Sequence, residues 1–112
     1  MITQIEGAIQ AASVHVAIFS PGYASSKWCL DELVLMVESK STIIPVFYNV
    51  EPSNLRWTEG GDGVYAQALR GLEKKRTFDS QPRYNSIIIK KWMDALSTVA
   101  NISGFELKAC NE

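Results

Sequence analysis

Hydrophobic positions change their period along this chain, and each change marks an element. Ile2, Ile5, Ala8, Ile9 and Ala12 recur at helical spacing, with Thr3 and Glu6 placed as a capping box, so a short helix is predicted at the start. Val14 to Phe19 (Val-His-Val-Ala-Ile-Phe) is a β-branched apolar run that reads as a buried strand, broken by Ser20-Pro21-Gly22. From about Ser26 to Ser39 the period is helical again, with Ser25 or Ser26 as cap. Thr42 to Val50 reads as a second buried strand. Pro45 lies inside it and removes a ladder donor, so a sheet edge or a bulge is expected there.

Glu51-Pro52-Ser53-Asn54 ends that strand, and Trp57 to Gly63 reads as a glycine-rich loop. Tyr65, Ala68, Leu69 and Leu72 give a helix from Val64 to about Arg76. Thr77 to Ser86 is polar, holds Pro82 and is expected as a loop. Trp92, Leu96 and Val99 mark a last helix from Ile87 to Ala100, which Ser103-Gly104 stops. Strand–helix–strand–helix order implies an α/β fold, a parallel sheet with helices on both faces. Ligands of such sheets bind beyond the carboxyl ends of the strands, which here means Ser20 to Ser26 and the helix that follows.

That helix sorts its own residues. At about 100° per residue, Leu30, Leu33, Val34 and Val37 form one stripe, and Trp28 and Glu32 share the far side. An aromatic plate beside an acid, at the expected ligand position, suits a flat, charged small molecule. The plainer reading of Glu32 is an acid favoured at a helix N-terminus, and of Trp28 an aromatic covered by another element. Tyr23 reads as a loop anchor or a member of the pocket rim. Cys29 reads as a small buried hydrophobe, and His15, in mid-strand, as structural.

Composition narrows the function classes. At 112 residues the chain is one small domain, able to bury roughly two-thirds of its unfolded surface. Apolar residues make up 46% and charged residues 21%, the balance of a soluble globular protein. Eleven basic residues against twelve acidic ones leave a net charge of −1, which recruits neither nucleic acid nor anionic membrane. Lys74-Lys75-Arg76 and Lys90-Lys91 read as solvated helix faces. Cys29 and Cys110 form no disulfide framework, and a single histidine offers no metal-ligand spacing. Gly60-Gly61-Asp62-Gly63 lacks the Lys-Ser/Thr of a phosphate loop. No apolar run approaches the ~20 residues of a membrane span, and no signal peptide is apparent, so an intracellular setting is expected.

Specific motifs add a family. Ala17-Ile18-Phe19-Ser20, the run Tyr23 to Leu33 (Tyr-Ala-Ser-Ser-Lys-Trp-Cys-Leu-Asp-Glu-Leu), Ile44 to Ser53, Leu55-Arg56, Trp92, Ala95-Leu96 and Ile102-Ser103-Gly104 carry it. The chain resembles a plant-type Toll/interleukin-1 receptor (TIR) domain of disease-resistance receptors and TIR-only proteins. The resemblance runs from Met1 to about Leu107, with residues 108–112 as a tail. It implies a flavodoxin-like parallel sheet flanked by helices, in which the family's first two strands have no counterpart here.

The resemblance also implies chemistry: cleavage of NAD+ at the nicotinamide–ribose bond, with NAD+ as substrate and no separate cofactor. Catalytic Glu32, with Trp28 and Ser26 in the pocket, are the residues carried over. Expected partners are other TIR domains and, through the product, lipase-like immune regulators, in the cytoplasm and also the nucleus. Two alternatives go with it. One is a catalytically silent module for homotypic binding. The other is a nucleic-acid-cleaving activity at Cys29 that yields cyclic nucleotides, for which no basic groove is visible.

Overall fold

A computed structural model describes residues 13–55 and 64–108. The predicted helix over residues 1–12, the glycine-rich loop, Arg56 and Cys110 lie outside the described residues. Three parallel strands form the sheet: β1 (Val14–Phe19), β2 (Thr42–Tyr48) and β3 (Phe105–Leu107), in that order across it. β1 and β2 pair without interruption from Val14↔Thr42 to Phe19↔Phe47, and β3 joins from Val46↔Phe105 to Tyr48↔Leu107. The described helices are α1 (Lys27–Glu38), α2 (Pro52–Leu55), α3 (Val64–Lys74) and α4 (Ser86–Ala100).

Each boundary has a local cause. The Ser26 hydroxyl accepts from the Cys29 amide and starts α1, and Asn85 accepts from Ile88 at 2.8 Å and starts α4. Lys40 takes a left-handed backbone (φ 58°) and turns the chain out of α1. β2 stops at Tyr48, two residues short of the sequence expectation, because Asn49 is left-handed (φ 56°) and leaves the extended region. α2 was hidden in a turn signal: Pro52 opens it, and the Asn54 side chain accepts from the Glu51 amide at 2.8 Å. The predicted loop before α4 is tied down by an antiparallel bridge, Arg76↔Pro82, and an Arg83 amide donated to Lys75.

Helices and sheet share one core. Phe19, Phe47, Leu30, Leu33, Leu69, Trp92, Leu96 and Val99 are fully or almost fully buried in it. Leu30 and Leu33 lay α1 on the sheet, each contributing about 1.5–3 kcal/mol by burial. Among the described residues, however, only one face of the sheet is covered. β1 alternates strictly, with His15, Ala17 and Phe19 buried and Val14, Val16 and Ile18 exposed. The expectation of helices on both faces is therefore not met among the described residues. The strand–helix–strand–helix order prompted it, and the described helices serve just one face.

Pro45 also departs from expectation. β2 is the central strand, and its register with β1 has no bulge. The Thr42 amide donates toward β1 and the Asn49 amide toward β3, so odd-numbered residues of β2, Pro45 among them, face β3. β3 begins opposite Val46, so the donor that Pro45 lacks would have no ladder partner there. The chain reaches β3 by crossing Pro45 closely: a Cβ on Gly104 would sit 2.2 Å from the Pro45 carbonyl oxygen. Only glycine fits. Gly104→Ala is expected to displace β3 and lower unfolding stability by about 1–3 kcal/mol in urea melts. A variant as stable as the parent would contradict this account of the crossing.

Candidate functional site

The site is built on the turn that leaves β1. The Tyr23 amide donates to the Ser20 carbonyl at 3.1 Å, a single 3-10 turn spans Tyr23–Ser25, and Ser26 then caps α1. Ala24, the middle residue of this turn, is completely buried. Two phenols pin it from below. Tyr23 donates to the Cys29 carbonyl at 3.0 Å, and Tyr65 of α3 donates to the Ser20 carbonyl at 2.6 Å.

Those phenols end an aromatic ladder rooted in the sheet. Phe47 packs on Phe19 (centroids 5.7 Å), Phe19 on Tyr23 (4.7 Å), and Tyr23 lies parallel to Tyr65 (6.4 Å). Burial raises the pKa of both phenols, and the charges of Cys29 and Glu32 raise that of Tyr23 further. Tyr65 is raised next by Tyr23 and Cys29. Both therefore remain protonated donors at neutral pH, and the Glu32 carboxylate lies close enough to Tyr23 to be felt there.

α1 divides its work between three sides. Leu30 and Leu33 face the sheet. Lys27 and Asp31 face α4, where Asp31 accepts a hydrogen bond of 2.9 Å from the buried Trp92 indole and pairs with the Lys27 ammonium. Trp28, 59% exposed, and half-buried Glu32 lie one turn apart on the outer side. The Lys27 ammonium stands 4.8 Å from the centre of the Trp28 ring and occupies one face of it.

The structure thus gathers Tyr23, Ser26, Trp28, Cys29 and Glu32 on one turn and the first coils of one helix. The Ser26 hydroxyl is engaged as the helix cap, and Cys29 is a half-buried free thiol. Chemically, the outer side offers an aromatic plate, a carboxylate and a cation. Among the described residues no cluster of three or more His, Cys, Asp or Glu could hold a metal ion, and no helix is long and apolar enough to cross a membrane. Sequence reasoning missed Tyr65 and the link from Asp31 to Trp92. A tyrosine and a tryptophan inside apolar helical stripes were the available signal, because a buried O–H or N–H must find an acceptor.

Comparison with known proteins gives this geometry a context. The family model described as TIR domain matches residues 1–112. The chain is 36% identical over 110 residues to disease resistance protein RPP2A of Arabidopsis thaliana, covering 94% of this chain and 8% of that protein. It is 38% identical over 104 residues to disease resistance protein RPV1 of Vitis rotundifolia, covering 89% of this chain and 7% of that protein. It thus spans less than a tenth of the length of these curated relatives. Among solved structures, the TIR domains of the activated Roq1 resistosome, which directly recognises the effector XopQ, superpose with a TM-score of 0.77 at 35% identity. That match covers 96% of this chain and 61% of the other.

The phenol pair sets an alkaline limit. A phenol whose folded pKa is raised adds stability below the unfolded value of 10.0, and that contribution is lost as pH rises beyond it. Urea melts are expected to lose stability above about pH 10, at about 1.4 kcal/mol per pH unit for each phenol. Tyr23→Phe and Tyr65→Phe should each remove one such contribution. An unchanged slope in both variants would contradict the assignment.

Proposed function

The chain belongs to the TIR domain family, in the form carried by plant disease-resistance proteins, and on that premise we propose that it cleaves NAD+ in immune signalling, with Glu32 as the catalytic group. The observation that carries this reading is the position of Glu32: outer side of α1, one turn from exposed Trp28, beside a rigid turn at the carboxyl end of β1. Breaking the nicotinamide–ribose bond sends its electron pair to the pyridine nitrogen and leaves oxocarbenium-like charge on the ribose. A carboxylate beside that carbon stabilises the charge and takes a proton from the attacking water. The products are nicotinamide, an ADP-ribose-type signal and a proton.

The remaining groups take supporting roles. Trp28 stacks on a ring of the substrate with the face that Lys27 leaves open. Ser26 acts through the helix it caps as well as by lining the pocket. The signal passes to lipase-like immune regulators, and the setting is the cytoplasm.

A second reading has an observation of its own. The Roq1 neighbour consists of TIR domains within a resistosome, which favours homotypic association as a function of this chain too. Mixing it with an intact TIR domain separates the readings. A module changes the assembly or activity of the intact domain, and no change at any ratio rules the module out.

Nicotinamide release measured chromatographically tests the hydrolase reading. Glu32→Ala is expected to lower kcat by about 10²–10³-fold or more, with circular dichroism unchanged. Trp28→Ala is expected to act mainly on KM. Release that survives Glu32→Ala would contradict the assignment.

A further inference from the structure

Four side chains make a continuous run of contacts from the core to the candidate site. The indole N–H of buried Trp92 donates to one carboxylate oxygen of Asp31 at 2.9 Å, and the Lys27 ammonium pairs with the other. The same ammonium stands 4.8 Å from the centre of the Trp28 ring. Asp31 thus gives its two oxygens to two different partners, one in the core and one at the surface. The pair is not arranged for helix stability. Lys27 is the first residue of α1, where the positive end of the helix dipole repels a cation, and lysine four residues before its acid is the weaker order of such a pair. A charge that breaks a local rule beside a candidate site is expected to serve that site. Lys90–Asp94 on α4 has the same spacing, but its side chains are 73% and 66% exposed, against 39% for both Lys27 and Asp31.

We propose that Asp31 and Lys27 are positioning residues for Trp28: Trp92 holds Asp31, Asp31 holds Lys27, and Lys27 holds one face of the Trp28 ring while the other is presented to substrate. An exposed tryptophan turns about two side-chain torsions, and ordering it at the moment of binding opposes affinity. A cation seated over the ring orders it beforehand. The ammonium alone is a mobile group on a flexible four-carbon stem, so it holds the ring only because Asp31 holds it. Asp31 in turn is anchored by a tryptophan that the core immobilises. The effect on the ring stands on these contacts alone, and the effect on substrate rests on the hydrolase reading.

Fluorine NMR of the chain labelled with 5-fluorotryptophan, without substrate, tests the contact. Lys27→Met keeps the stem and removes the charge, and it is expected to move the Trp28 resonance toward that of the unfolded chain while Trp92 stays unmoved. Asp31→Asn keeps an acceptor for the Trp92 indole, removes the counter-charge and should move Trp28 in the same direction. Lys90→Met, which breaks the pair on α4, should leave Trp28 unchanged. In nicotinamide release from NAD+, Lys27→Met and Asp31→Asn should each raise KM about 3- to 10-fold with kcat within about twofold, and the double variant should do no more than either single one. Lys27→Arg, whose guanidinium both pairs with a carboxylate and stacks on an aromatic face, should restore KM. If circular dichroism shows Asp31→Asn to be unfolded, Lys27→Met and its rescue by arginine decide the matter. A Trp28 resonance indifferent to Lys27→Met, or a shifted resonance with KM unchanged, would overturn the proposal. A wild-type chain that releases no nicotinamide would contradict the hydrolase reading alone, and the resonance would still decide whether Lys27 holds the ring.

Discussion

The hydrogen bond from the buried Trp92 indole to Asp31 is the contact on which the placement of the candidate site depends. It joins two helices 61 residues apart in sequence, and it fixes the rotation of α1 about its own axis. Once Leu30 and Leu33 face the sheet and Asp31 faces α4, Trp28 and Glu32 can face only outward. An indole N–H left unpaired in the core costs about 1–3 kcal/mol, so the rotation is held by more than apolar contact. The exposed tryptophan is thereby a consequence of the buried one.

The turn before α1 is fixed by separate means. The ladder from Phe47 through Phe19 and Tyr23 to Tyr65 ends in two phenols that hold the carbonyls of Ser20 and Cys29. Catalysis at a carboxylate needs a rigid frame, because misplacement by about 1 Å can cost 100-fold in rate. Here the frame spans β1, β2, α1 and α3, while Glu32 itself contributes little to the core. The side chains of α1 that serve the core are thus not those to which the proposed chemistry is assigned.

Much of this was legible in the sequence. β1 was bounded correctly, and the sides of α1 followed from spacing, because an amphipathic helix states its orientation in its period. What was hidden depends on distant partners. Pro45 argued for an edge or a bulge, yet β2 is central, since the amide that proline lacks points where β3 has not begun. β3 is three residues long, too short for any period to show. Tyr65 and Trp92 read as core, and their polar atoms found acceptors 45 and 61 residues away, which no local pattern encodes. The apolar run of β1 read as a buried strand, but only His15, Ala17 and Phe19 are buried, and Val14, Val16 and Ile18 on its other face are exposed among the described residues.

The central claim is that the outer side of α1 is where NAD+ binds. Fluorine NMR of the chain labelled with 5-fluorotryptophan tests it most directly, because Trp28, Trp57 and Trp92 then report separately. NAD+ is predicted to shift the Trp28 resonance and leave buried Trp92 unmoved, and to do so in Glu32→Gln as well, where binding persists without turnover. A Trp28 signal unchanged at millimolar NAD+, in a chain whose Trp92 signal shows it to be folded, would contradict the account.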